Sequence, residues 1–465
     1  MKRYLLAFLL LFSVSLTYAD IRYVFYLIGD GMGPNQVLAA EMYRAELAGR
    51  IGRDQLGMTS MPYSGQASTY SLSNGITDSS AAGTCLASGK KTKNGHLGTT
   101  PDNQPIENIA EQLHRKGWSI GIMTTVAIDH ATPGAFYAHV ADRNEYYTIG
   151  TQLANSEYEF FGGAGFHQPE NKSVWNAPNL YDLCEQKGYT FAHGFSEGQK
   201  NLSAEKLILL QPQDGIDRSR KCESIPYSID QNAEDLKLSQ ITQTAIDFLY
   251  AKNKPFFMMI EGGKIDYAGH SNDGATNILE TIDFDNAVQV ALRFYAAHPD
   301  ETLIVVTADH ETGGMALGNS DYTLNLQILR HQHVSSWVLG QKIKDLMKSQ
   351  GKKMKWEDVE SLLRTDLDFN NGVTLTEAET KSLKDAYMKM MSGKSKTTKT
   401  LYQDIDELTG LAVGILNTRS KLGWTTHAHT AATVPVFAIG KGAQVFTGWH
   451  DNTELAPLIL KTVGL

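Results

Sequence analysis

The sequence predicts an α/β protein: a doubly wound, mostly parallel sheet flanked by helices, with a helical insertion near its C-terminal third. Three observations predict it. Six strand-like runs (Tyr23–Ile28, Gly65–Tyr70, Trp118–Thr125, Pro255–Ile260, Thr302–Thr307 and Val434–Ile439) are separated by helix-like stretches, the alternation that folds into a layered parallel sheet. Several runs are apolar almost without interruption, the pattern of strands buried on both faces. Three of them are followed within two residues by a carboxylate, Asp30, Glu261 or Asp309, and parallel α/β sheets gather ligands at the carboxyl ends of their strands.

The 465 residues suffice for one large α/β domain or two to three ordinary ones. Hydrophobic and charged fractions of 42% and 20% are globular, with material for a sizeable core. A net charge of −9 without a basic cluster argues against specific nucleic-acid binding. Residues 1–19 read as a secretory signal peptide: Lys2-Arg3, an apolar stretch from Tyr4 to Leu16, then Thr17-Tyr18-Ala19 before Asp20. The apolar stretch is short for a membrane span, and no cysteine follows it for a lipid anchor. The expected product is periplasmic or secreted, with no membrane anchor after cleavage. Cys85 reads as a buried thiol, and Cys184 with Cys222 as a candidate bridge in an exported protein. The three cysteines are too scattered for a zinc cluster.

Along the chain, the first strand ends in Gly29-Asp30-Gly31-Met32-Gly33. Asp30 is therefore either a strand-end ligand or a turn aspartate. A helix over Asn35–Leu47 follows, and later Thr77-Asp78-Ser79-Ser80-Ala81-Ala82-Gly83-Thr84 opens a small-residue helix. Such a start offers unpaired N–H groups and a positive dipole end to an anion. The same residues also make an ordinary Asp or Ser cap, and the segment alone does not choose between Ser79 and Ser80. After a helix over Ile106–Arg115 and the third strand come His130 and Thr132, a candidate ligand pair with Pro133 fixing the backbone just after it, and Arg143 lies further on. Residues 150–240 mix turns, short strands and polar loops without a catalytic motif. A helix at Ile241–Tyr250 precedes the strand that ends at Glu261. Asp266 and His270, four apart, share a face if that turn is helical. The helix Glu280–Ala297 leads to the strand that delivers Asp309 and His310, and His429 precedes the last strand. Asp and His together suit zinc, whereas Asp, Glu and Thr oxygens suit magnesium.

Residues 319–424 break the pattern. They are polar and lysine-rich, with helices expected over Gln332–Ser349, Trp356–Thr365 and Thr376–Met391. This divides the mature chain into a sheet domain of residues 20–318 and 425–465 and an insertion of residues 319–424. Within the insertion, Asp366 to Glu377 partly matches a calcium loop, but its sixth position is Asn371 instead of glycine. The simpler reading is a helix–loop–helix whose second helix is capped by Thr376 with Glu379.

Taken together, GDGMG, TDSSAAGT, HATP, EGGKID with a following histidine, TADH and THAHT resemble the alkaline phosphatase family. The resemblance runs from about Ile21 to Met315 and resumes over Thr426–Ile439. It implies hydrolysis of phosphate monoesters at a site with two zinc ions and one magnesium. It makes Ser79 the nucleophile that is phosphorylated, and Asp266, His270 and His429 the ligands of one zinc. Asp30, Asp309 and His310, with Ser79, would surround the second zinc. Asp30, Thr132 and Glu261 would hold magnesium, with His130 at a position that is aspartate in some members. Arg143 would clamp two phosphate oxygens, a bidentate task for guanidinium, with Asp78 as its partner. Tyr267 stands where other members carry lysine, histidine or tryptophan; it is either pocket wall or a hydrogen-bonding group for a water near phosphate. The family also allows a homodimer, although the mature chain starts almost at the first strand and lacks the N-terminal arm of many family dimers.

Other members of the wider fold are phosphodiesterases and sulfatases. Sulfatases need a Cys/Ser-x-Pro-x-Arg run, absent around Ser79. Diesterases commonly use threonine as nucleophile and lack the third metal site. A phosphate-binding protein without turnover is opposed by the presence of both Ser79 and Arg143.

Overall fold

A computed structural model describes residues 20–212 and 223–465. The signal-peptide segment and Cys222, and with it the Cys184–Cys222 pairing, lie outside the described residues. Cys85 and Cys184 are buried. Among the described residues no helix is long and apolar enough to cross a membrane.

The strands, in chain order, are β1 (Tyr23–Ile28), β2 (Tyr63–Ser68), β3 (Ser119–Thr124), β4 (Phe160–Gly163), β5 (Tyr189–His193), β6 (Lys206–Leu210), β7 (Phe256–Glu261) and β8 (Thr302–Thr307). Six short pieces follow: β9 (Glu311–Thr312), β10 (Ala316–Leu317), β11 (Thr397–Lys399), β12 (Asp404–Asp406), β13 (Leu422–Gly423) and β14 (His429–Thr430). Then come β15 (Val434–Gly440) and β16 (Gly448–Asp451). Ten of them form one sheet in the order β16-β2-β15-β8-β1-β7-β3-β4-β6-β5. Every neighbouring pair is parallel except the two made by β15. The predicted doubly wound, mostly parallel sheet is therefore present.

At its centre, β8, β1, β7 and β3 lie side by side and in register. Ile28 pairs with both Glu261 and Thr307, and Thr124 with Glu261. Their carboxyl ends thus form one level row, and whatever follows each strand emerges at the same edge. Residues Val24–Ile28 of β1 are fully buried, and each large apolar side chain so placed contributes roughly 1.5–3 kcal/mol. The row rests on a core that fixes it.

Ten sheet strands exceed the six expected. The additions at one end, β4, β6 and β5, are short. β4 is Phe160-Phe161-Gly162-Gly163, where a Cβ on Gly162 would come within 2.4 Å of Ile241. Glycine lets the helix Leu238–Ala251 pack closely there, and it erases the strand-like apolar pattern. Strand β2 starts at Tyr63 rather than Gly65, because Tyr63 still pairs with Ala438 of β15. The helix expected from Ile106 begins at Ile109, capped by Asn108 in a reciprocal box with Glu111. The helix expected from Glu280 begins earlier, at Gly274, capped by Asp273.

Residues 319–424 contribute no strand to the main sheet. Helices Ser336–Gln350, Trp356–Leu367 and Glu377–Met391 match the expected three. A fourth helix, Glu407–Ser420, adds to the three expected. The Thr376–Glu379 capping box is formed, as the simpler reading requires. The first and third carboxylates of the would-be calcium loop have other partners: Asp366 takes Lys342 at 2.8 Å, and Asp368 takes His331 and His333 at 2.9 and 3.0 Å.

Candidate active site

Three central strands deliver the acidic side chains. Asp30 follows β1, Glu261 ends β7, and Asp309 and His310 follow β8. Asp266 and His270 sit on the helix Lys264–His270 directly after β7, so their spacing of four does put them on one face. His429 arrives by another route. Strand β14 pairs antiparallel with β9, His429 opposite Thr312, just before the antiparallel β15 begins. A reversed strand starts where its parallel neighbours end, which brings His429 to the same edge.

The glycines of the first loop answer close contacts. Gly31 has φ +74°, and a Cβ there would lie 2.7 Å from the Asp266 backbone. Its N–H donates to Asp309 Oδ1 at 3.1 Å. The loop thereby locks the strand ends carrying Asp30 and Asp309 together.

Ser79 opens the ten-residue helix Ser79–Ser88, with Asp78 as N-cap accepting from the Ala81 N–H at 3.0 Å. Asp78 has a second role at its other oxygen, which faces Arg143 Nη1 at 3.4 Å and accepts from Ser80 Oγ at 2.7 Å. Capping and guanidinium anchoring are thus not alternatives. Ser80 turns into the cap, leaving Ser79 Oγ 3.2 Å from His310 Nε2. That same nitrogen is 3.4 Å from Asp30 and 3.3 Å from Asp309. One proton cannot serve three oxygens, so the set has the character of a cation shell.

The histidines show this most directly. His270 Nδ1 faces the His427 carbonyl at 2.6 Å, and His429 Nδ1 faces the Thr77 carbonyl at 2.8 Å. A carbonyl only accepts, so both protons sit on Nδ1. The two Nε2 lone pairs then confront each other at 3.1 Å with no proton between them. Two nitrogens on one tetrahedral zinc at about 2.0–2.1 Å would stand about 3.3 Å apart. Asp266 Oδ1 completes this group at 3.4 Å from His270 and 3.6 Å from His429.

The orphaned polar atoms fit metals as well. Both oxygens of Asp30, one each of Glu261, Asp266 and Asp309, the Thr132 hydroxyl and His130 Nδ1 are buried without a hydrogen-bond partner. Unsatisfied buried groups in such number are not tolerated without a ligand. Three clusters have ligand atoms close enough for one ion each: Asp266, His310 and His429; Asp30, Asp309 and His310; and Asp30, His130 and Glu261. Burial, then the neighbouring carboxylates, pushes Asp30 and Asp309 well above the usual range, and burial takes Glu261 up to about 7. Burial also holds His130 and His310 well below, and His429 below, their ordinary value, the neutral state that metal ligation needs.

Arg143 Nη2 points at His130 Nε2, 3.3 Å away, so His130 is both an arginine support and a member of the third cluster. Thr132 lies beside Glu261. Tyr267 is buried and stacks on Tyr402, ring centroids 3.7 Å apart and 19° from parallel. Every site residue expected from the sequence is thus at this one edge of the sheet. Three others belong with them. Thr312 Oγ1 donates to Asp266 and lies 3.3 Å from His310 Nδ1, so it touches two clusters. Thr124 Oγ1 donates to Glu261. Tyr402 comes from residues 319–424. Unlike Thr132, neither Thr124 nor Thr312 stands in a ligand-like motif; the only signals are the position of Thr124 at a strand end and of Thr312 two residues past His310.

A sequence profile described as alkaline phosphatase matches residues 21–159 and 221–465. Alkaline phosphatase 3 of Bacillus subtilis is 30% identical over 457 residues, covering 96% of this chain and 89% of that protein. Alkaline phosphatase 4 of the same organism is 31% identical over 454 residues, with 95% and 89% covered. Among solved structures, a cold-active alkaline phosphatase from a psychrophilic Shewanella sp. superimposes with a TM-score of 0.78 at 28% identity, covering 95% of this chain and all of that one. These similarities run through the strand ends, the Ser79 helix and the C-terminal histidines alike. The chain therefore belongs to the alkaline phosphatase family and is a metal-dependent phosphomonoesterase.

Proposed function

We propose that the protein hydrolyses phosphate monoesters of broad structure through a phosphoserine at Ser79, with two zinc ions and one magnesium. The observation that carries this reading is the meeting of Ser79 Oγ with the His310–Asp30–Asp309 group at a helix start, beside an arginine anchored by Asp78. Asp266, His270 and His429 would hold one zinc, and Asp30, Asp309 and His310 the other. Asp30, Thr132 and Glu261, with His130, would hold magnesium. Bound there, the metals would supply charge to stabilise the attacking and leaving oxygens of an in-line displacement and to activate the serine.

The chain's own residues do the rest. Arg143 binds two non-bridging phosphate oxygens through its planar fork, and Asp78 and His130 fix the fork's orientation. The positive dipole end of the helix that Ser79 opens favours the same anion. Ser79 Oγ forms the bond to phosphorus as the bond to the substrate's alcohol oxygen breaks, and the alcohol leaves with a proton. Water then cleaves the phosphoserine, restoring the hydroxyl and releasing inorganic phosphate. Residues 319–424 form a cap beside the site, a reading supported by the arrival of Tyr402 from that segment. Export to the periplasm or medium is supported by the N-terminal pattern of residues 1–19.

The test is turnover of p-nitrophenyl phosphate against bis(p-nitrophenyl) phosphate, before chelation, after it, and after zinc and magnesium are restored. Strong preference for the monoester, lost on chelation and recovered with metals, is expected. Equal rates on the diester, or full activity after chelation, would overturn the proposal.

A further inference from the structure

Tyr402 occupies the turn of a two-stranded hairpin. Strands β11 and β12 pair antiparallel from Thr397–Asp406 to Lys399–Asp404. The turn between them is closed by the Thr400 N–H on the Gln403 carbonyl at 3.1 Å and by the Thr400 hydroxyl on the same carbonyl at 2.7 Å. Gln403 Nε2 ties the hairpin to Ser336 at 3.3 Å. Its neighbour Leu401 is largely exposed, so the turn is not inserted to bury an apolar tip; it inserts the tyrosine.

The ring of Tyr402 stacks on Tyr267 and lies 5.5 Å from the His270 ring and 5.9 Å from the His130 ring. These two histidines belong to different metal groups, so the ring spans the mouth between them. Its hydroxyl is buried and has no hydrogen-bond partner. The charged groups that act on it are Arg143 first, then Asp266 and Asp30. A buried hydroxyl without a partner is costly, and here it stands among the groups that surround the reacting phosphate.

We propose that Tyr402 is a substrate-contacting residue whose hydroxyl donates a hydrogen bond to a non-bridging oxygen of the transferring phosphoryl group, alongside Arg143. This rests on the phosphomonoesterase reading given above. It assigns to residues 319–424 a direct part in binding phosphate, beyond covering the site. The hydroxyl is neutral, so it adds a donor without altering the charge balance of the metal groups. The Tyr267 ring holds it in place by stacking.

The test is Tyr402→Phe, which keeps the stack and removes only the hydroxyl. Zinc and magnesium content and melting temperature should match the wild type. The dissociation constant for inorganic phosphate, read by titration calorimetry, should rise about tenfold, and kcat/KM for p-nitrophenyl phosphate should fall at least about tenfold, as for loss of a hydrogen bond to a charged group. The fall should be equal for aryl and alkyl phosphates, because a non-bridging oxygen carries the contact. A Phe variant within twofold of wild type in both readouts would overturn the proposal. So would a loss confined to alkyl phosphates, or a loss that tracks missing metal or lower melting temperature. A metal-loaded wild type without monoester turnover removes the underlying reading and this proposal together; an active wild type with an equally active Phe variant removes only this one.

Discussion

Replacing Glu261 by glutamine should act with opposite sign on the metal-free and metal-loaded protein. Glu261 is fully buried at the end of β7, with one oxygen accepting from Thr124 and the other unsatisfied. Burial raises its carboxyl from 4.5 to about 7. A raised folded-state value means that the folded protein holds the proton more tightly than the unfolded chain. Its contribution is therefore fully present below about pH 4.5 and is lost as pH rises through about 7. The shift amounts to roughly 3 kcal/mol at 1.36 kcal/mol per unit. Glutamine mimics the protonated acid, can still accept from Thr124, and pays no ionisation cost. In chelator at pH 8, Glu261→Gln should be more stable than wild type by about 3 kcal/mol, and at pH 4.5 the two should coincide. For a chain of this length, about 2.1 cal/mol/K per residue makes that roughly a 3 °C rise in melting temperature. With metals restored the order should invert, because a carboxylate ligand is lost. Differential scanning calorimetry of both proteins, at both pH values, with and without chelator, reads all four cases. A metal-free variant no more stable than wild type at pH 8 would refute the reasoning.

Other perturbations follow from the same geometry. Arg143→Lys keeps the charge but loses the fork held by Asp78 and His130; kcat/KM for a monoester should fall about 100-fold, with weaker phosphate inhibition, in steady-state assays. Thr312→Val removes the hydroxyl shared by Asp266 and His310; zinc affinity, measured by competition with a chelating dye, should drop about 10–100-fold. His130→Asp exchanges a nitrogen for oxygen beside Asp30 and Glu261; magnesium content after dialysis should rise, while phosphate affinity falls as Arg143 loses its support.

Much of this site was legible in the sequence because strand ends carry position. An uninterrupted apolar run such as Tyr23–Ile28 announces a central strand, and the next polar residue then lies at the sheet's edge whatever the rest of the fold does. Asp30, Glu261, Asp309 and His310 share this logic. The illegible parts fail for identifiable reasons. β4 is half glycine, and β16, Gly448-Trp449-His450-Asp451, is a sheet-edge strand with an exposed Trp449 and no apolar run. The helix Glu407–Ser420 has two interior glycines and apolar residues all round instead of one stripe. Tyr402 is brought to Tyr267 only by tertiary packing of a hairpin that no local pattern predicts. Asp78 shows the opposite difficulty. Its sequence context allows a cap or an arginine partner, and its two oxygens let it be both.

The central claim is that Ser79 itself carries the phosphoryl group. The most direct measurement is acid quenching of the metal-loaded enzyme during turnover of a 32P-labelled monoester, followed by peptide mapping. Label should be found on Ser79 and vanish in Ser79→Ala. Label on any other residue, or undiminished turnover by Ser79→Ala, would contradict the account.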